Sequence, residues 1–251
     1  MSSPKQFIAP TTYFLQEGRE NLRECLKVAF QAARVQNVSK LVVFTARGEG
    51  VRIALEEFCF LDENKHVRLV ATTFPAGKVF TDPSGNPISV GIDDANIALF
   101  KAREVPIIKA HMPFDPITPL YKQRGVLGQD LSLIGEALNI FGGSMSLCVQ
   151  AIVMACDAGE IALGEHVIAL SSDTAILAQA TSTTRMLSEL VIREILCKPA
   201  VFSIGRKEIA ERFPVQMTLN IKAEPSSLGS GDIPNLHAAS AEQVDPGSVK
   251  E

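Results

Sequence analysis

A chain of 251 residues with 46% hydrophobic side chains has enough apolar surface to bury a core, which sets it apart from a disordered polypeptide. Its 28 acidic against 24 basic side chains give a formal net charge of −4, without the clustered Lys and Arg that binding to nucleic acid demands. No run of about 18 uninterrupted apolar residues occurs, so no membrane span is expected.

Residues 1–12 read as an N-terminal arm, residues 13–222 as one α/β domain, and residues 223–251 as a disordered tail rich in Ser, Gly, Pro, Ala and acid. The first strong signal is Asn21-Leu22-Arg23-Glu24, whose Asn and Glu are spaced as a capping box. Apolar residues then recur at Leu22, Cys25, Leu26, Ala29 and Ala33, the spacing of one helix face, and the helix is expected to stop near Asn37. Leu41-Val42-Val43-Phe44 is a short β-branched run and reads as a strand buried on both faces. The turn Thr45-Ala46-Arg47-Gly48-Glu49-Gly50 leads into a second helix over residues 51–58.

The same grammar repeats. Residues 66–73 form a strand, 75–89 an irregular excursion, 94–103 a helix and 105–111 a third strand. Pro113, Pro116 and Pro119 mark a loop, Asp130 is placed to cap a helix over 131–141, and Gly142-Gly143 ends it. Residues 147–158 are almost wholly apolar, too short to cross a bilayer, and read as a buried helix. Residues 166–170 are a strand, Ser171-Ser172-Asp173 a turn, and 175–178 an antiparallel return. A helix is predicted over 186–197, a short helix over 207–212 and an exposed strand over 215–221.

Strands alternating with helices imply a mostly parallel sheet covered on both faces. In such sheets ligands bind at the carboxyl ends of strands. Four such ends carry polar groups. The first is Thr45, Arg47, Gly48, Glu49 and Gly50, where glycines allow close backbone approach and Arg47 supplies a cation suited to phosphate. The second is Thr72-Thr73, whose hydroxyls can bind a polar ligand or simply finish a strand. The third is His111, a weak catalytic candidate as acid or base, with satisfaction of loop backbone as the alternative. The fourth is Ser171, Ser172, Asp173 and Thr174, which suit phosphate or sugar and are also ordinary turn formers. His111 with Asp115 lacks further ligands for a metal, and no metal site is expected.

The five cysteines, Cys25, Cys59, Cys148, Cys156 and Cys197, are odd in number and irregular in spacing, so reduced, buried thiols are expected. Met-Ser-Ser-Pro-Lys-Gln lacks the basic and apolar regions of a secretory signal, and a cytoplasmic setting follows as the expectation.

Tyr13-Phe14, Gly18-Arg19-Glu20-Asn21, the strand-turn-helix over 41–57, residues 148–159, Asp173-Thr174-Ala175 and Ile192-Arg193-Glu194-Ile195-Leu196-Cys197-Lys198-Pro199 together resemble free-standing proteins similar to the C-terminal domain of pyruvate kinase. The resemblance spans residues 13–204. It implies a three-layer α/β/α fold with a mostly parallel five-stranded sheet whose last strand is antiparallel. It places Thr45, Arg47, Gly48 and Gly50 at a phosphate, with Glu49 where the kinase has a basic residue. It also implies flavin mononucleotide (FMN) as cofactor, ahead of sugar phosphates. The kinase's catalytic barrel has no counterpart here, so pyruvate kinase activity is not implied. The expectation is therefore a binder of a phosphorylated small molecule that uses neither nucleic acid nor membrane. A flavin-dependent enzyme using the same cleft, and a regulatory module that forms a homo-oligomer, stay open as alternatives.

Overall fold

The structure, a computed structural model, describes residues 8–81, 84–115 and 129–200. The chain divides into two units, Met1–Arg212 and Phe213–Glu251, and the description concerns the first. The short helix at 207–212, the strand at 215–221, the tail at 223–251 and the loop positions Pro116 and Pro119 lie outside the described residues.

Strand β1 (Thr12–Phe14) leads through a 3₁₀ turn (Arg19–Asn21) into helix α1 (Leu22–Val35). Next come β2 (Lys40–Phe44), α2 (Glu49–Ile53, continued as a π-helical segment Ala54–Phe58) and β3 (Arg68–Thr73). The excursion after β3 contains a small antiparallel ribbon, β4 (Val79–Thr81) and β5 (Pro87–Ser89). Helix α3 (Asp94–Ala102), β6 (Ile107–Lys109), α4 (Gln129–Asn139) and α5 (Met145–Asp157) follow. The domain finishes with β7 (His166–Leu170), β8 (Ala175–Gln179), the single turn α6 (Met186–Glu189) and β9 (Val191–Pro199).

The fold is α/β with a mixed, mostly parallel sheet in the order β1-β9-β8-β7-β2-β3-β6. Among the described residues only β8 runs against the rest. The sheet has seven strands rather than five, and its reversed strand lies inside the sheet instead of at the end. Side chains alternate across β2 as the pleat requires. Leu41 and Val43 pack with α1, α2 and α3, whereas Val42 and Phe44 pack with α5. That double burial is why the strand reads as a continuous apolar run. Helix α5 has buried residues around almost its whole circumference, since it lies between the sheet and α4.

Several local expectations need correction. The segment expected to be a helix over 186–197 is helical only to Glu189. Leu190 turns extended (φ −71°, ψ 124°), and Val191–Pro199 forms a strand between β8 and β1. The β-branched Val191, Ile192 and Ile195 pair with β8 there, and Cys197–Pro199 pair with β1 on the other side, which outweighs the weak helical period of the segment. Asn21 does not cap α1. Its side-chain N–H donates to the Gln16 carbonyl at 2.8 Å and ties down the chain before the helix. Asp130 lies inside the first turn of α4 rather than before it. Asn37, at φ 53°, ends α1 in the left-handed region, and Val38 N–H donates back to Ala33.

Candidate functional site

Strand β2 has β3 on one side and β7 on the other, so the connections leaving the two neighbouring ends diverge. Such a switch point opens a crevice outside the carboxyl ends of a parallel sheet. A cleft of about 470 Å³ lies there. Thr45, Ala46, Arg47, Glu49 and Gly50 line it from the β2–α2 turn, and Ser171 and Ser172 from the β7–β8 turn. Its apolar wall is Phe44, Phe74, Leu147 and Leu22, and Arg19 borders it from the chain segment before α1.

The β2–α2 turn is a braced structure. Thr45 N–H donates to the Thr72 carbonyl at 2.9 Å, extending the ladder one step, and the Thr45 hydroxyl accepts from Gly48 N–H at 3.0 Å. Asn96, held by the cap residue Asp93, donates to the Arg47 carbonyl at 2.9 Å. Gly48 takes φ 97°, and a Cβ there would sit 2.8 Å from the Asn96 Cβ. The turn therefore needs glycine for both its backbone and its space. Arg47 points its backbone into this brace, while its exposed guanidinium has no carboxylate partner among the described residues. Glu49 is paired: Arg19 Nη2 donates to its Oε2 at 2.7 Å.

Arg19 reaches the cleft on a strap, residues 15–21. Pairing of β1 with β9 brings the strap across the sheet, and Gly18 N–H then donates to Asp173 Oδ2 at 3.0 Å. Gly143 N–H donates to Glu17 Oε1 at 3.2 Å. Asp173 is buried and also accepts from the Ser144 hydroxyl at 2.9 Å and the Thr174 hydroxyl at 3.1 Å. Thr174 Oγ1 in turn accepts from Ser144 N–H at 2.9 Å. Asp173 and Thr174 are thus engaged in holding the β7–β8 turn, the strap and the start of α5 together. Ser171 differs. It is 94% buried on a relative scale, since 6% of it is exposed, yet its hydroxyl lines the cleft without a protein partner among the described residues.

Three thiols support the β7–β8 turn from below. Cys25 Sγ donates to the Ser171 carbonyl at 3.6 Å, Cys197 Sγ donates to Cys25 Sγ at 3.5 Å, and Cys148 Sγ donates to the Thr174 carbonyl at 3.4 Å. The Cys197 hydrogen bond and burial push the Cys25 thiol well up, and burial does the same to Cys148. All five cysteines are free, four buried and Cys59 half-buried.

The other predicted positions lie apart from the cleft lining. Thr72 and Thr73 are fully buried at the end of β3, and neither hydroxyl has a hydrogen-bond partner among the described residues. His111 is exposed, its Nε2 is 2.9 Å from the Asp115 carbonyl oxygen, and Asp115 accepts from Lys78 Nζ at 2.8 Å. Among the described residues, no group of three or more His, Cys, Asp or Glu is placed to hold a metal ion, and no helix is long and apolar enough to cross a membrane.

Sequence reasoning missed Arg19 and the apolar wall. Phe44 and Phe74 meet edge to face at 4.9 Å, and Phe74 meets Phe80 of the ribbon in the same way at 5.0 Å. The signal was present in Phe74, an aromatic placed directly after a strand end. A comparison with known protein families finds none that matches this chain.

Proposed function

We propose that this protein binds a phosphorylated small molecule in the cleft between the β2–α2 and β7–β8 turns, with FMN as the leading ligand. The observation that carries the reading is the Ser171 hydroxyl, open to the cleft and without a protein partner among the described residues, in the same cleft as the unpaired Arg47 guanidinium. Arg47 and the Ser171 and Ser172 hydroxyls suit the phosphate, the Arg19–Glu49 pair suits a hydroxylated chain, and Phe44, Phe74 and Leu147 suit a flat ring. The resemblance to free-standing relatives of the pyruvate kinase C-terminal domain supports FMN over other phosphates. Five unbridged thiols accord with a reducing, cytoplasmic compartment.

The reading is one of binding rather than catalysis. His111, the candidate acid or base, pairs with a loop carbonyl and does not line the cleft. The test is to record the visible spectrum of the purified protein and its melting temperature with added FMN and with riboflavin, which lacks the phosphate. FMN at about a hundred times its dissociation constant raises stability by roughly 2.7 kcal/mol. Absence of flavin absorbance together with no thermal shift rejects FMN, and an equal response to riboflavin rejects the phosphate contact.

A further inference from the structure

We infer that the Arg19–Glu49 ion pair makes this cleft selective for ligands with one phosphate beside hydroxyl groups, and turns bisphosphates away. The inference rests on the phosphate-binding reading above and names the substrate class of that same site. Among the described residues, three charged side chains line the cleft: Arg19, Arg47 and Glu49. Their sum, two positive and one negative, is +1.

Arg19 is committed to Glu49 at 2.7 Å, so among the described lining residues Arg47 is the cation left for an anion. A phosphate monoester carries about −1.5 to −2 near neutrality and already exceeds that charge. A second phosphate adds as much again, and nothing among the described lining residues is left to neutralise it.

Glu49 also has a positive role. Oε2 takes the Arg19 guanidinium, while Oε1 has no partner among the described residues. A carboxylate oxygen only accepts hydrogen bonds, so the matching ligand group is a donor, and a hydroxyl fits where a phosphate oxygen does not. The pair itself is exposed, at 78% and 40% for the two side chains, and adds little to folding. Its charge and its free acceptor act on the ligand instead.

The test uses isothermal titration of the full chain with fructose 6-phosphate and with fructose 1,6-bisphosphate, for the wild type and for Glu49→Gln. The wild type binds the monophosphate more tightly. Glu49→Gln removes the negative charge, keeps the shape, and raises the relative affinity for the bisphosphate on the order of tenfold. Its unliganded melting temperature stays that of the wild type, which separates the effect from misfolding. A wild-type preference for the bisphosphate overturns the inference, as does a preference left unchanged by Glu49→Gln or a failure of either protein to bind either sugar. The FMN titration judges the phosphate-binding reading independently of these outcomes.

Discussion

The carboxylate Oδ2 of Asp173 accepts the backbone N–H of Gly18 at 3.0 Å, joining two points 155 residues apart in the chain. Through this bond the strap that carries Arg19 is fixed to the turn that carries Ser171 and Ser172. Asp173→Ala leaves Gly18 N–H and the Ser144 hydroxyl without their acceptor, and is expected to cost about 2–4 kcal/mol. Urea denaturation measures it. A loss below about 0.5 kcal/mol, the range of an ordinary surface substitution, shows that the staple is dispensable.

This relationship also shows what the sequence could and could not convey. The β2–α2 turn was legible because its signals are local: a β-branched run, two glycines and a helix behind them. The antiparallel return at Ala175 was legible for the same reason. Arg19 was not, because its place in the cleft depends on β1 pairing with β9, with Thr12 opposite Cys197. Strand β9 itself was hidden, since the apolar Leu187, Val191 and Ile195 fall on one helical face. Only the neighbouring ladders decide the contest in favour of strand.

Gly48 yields a second prediction. Gly48→Ala meets a left-handed backbone at φ 97° and a Cβ contact of 2.8 Å with the Asn96 Cβ. Left-handed strain of about 1–2 kcal/mol and a contact penalty of similar size place the total near 2–4 kcal/mol. Gly77→Ala is the control, with φ 75° and open space around it, and is expected to cost only the strain. Equal losses at the two sites, measured by denaturant midpoint, show that the Asn96 brace gives way freely.

Arg47 separates binding from folding. Its side chain is exposed and makes no ion pair, so Arg47→Ala is expected to leave stability within about 0.5 kcal/mol of the wild type. Loss of a charge-assisted hydrogen bond to phosphate corresponds to about 1.5–3 kcal/mol, and FMN affinity should fall on the order of tenfold or more. Ser171→Ala is expected to weaken binding by less while leaving the unliganded protein as stable as before, because its hydroxyl has no protein partner to lose. Fluorescence titration with FMN reads both. Wild-type affinity in Arg47→Ala removes the phosphate from this turn.

The thiols set an alkaline limit on stability. Burial raises Cys59 from 9.0 to about 11, with Arg103 opposing it, and raises Cys156 from 9.0 to about 11, with Asp157 and Glu165 adding to the effect. A raised pKa means that the folded chain holds these protons more tightly than the unfolded one. The resulting stabilisation is fully present below about pH 9 and is lost as pH rises from there towards about 11. Cys25 and Cys148, raised well above 9.0, act in the same direction. The urea midpoint is therefore expected to be level between about pH 7 and 8.5 and to fall above about pH 9. The double variant Cys59→Ser with Cys156→Ser should show a shallower fall, because two of the responsible protons are gone. Cys59, the half-buried thiol, should be the first to react with iodoacetamide in the native protein, and faster as pH rises towards its pKa. A midpoint that declines identically in the variant assigns the alkaline loss to other groups and removes Cys59 and Cys156 from the account.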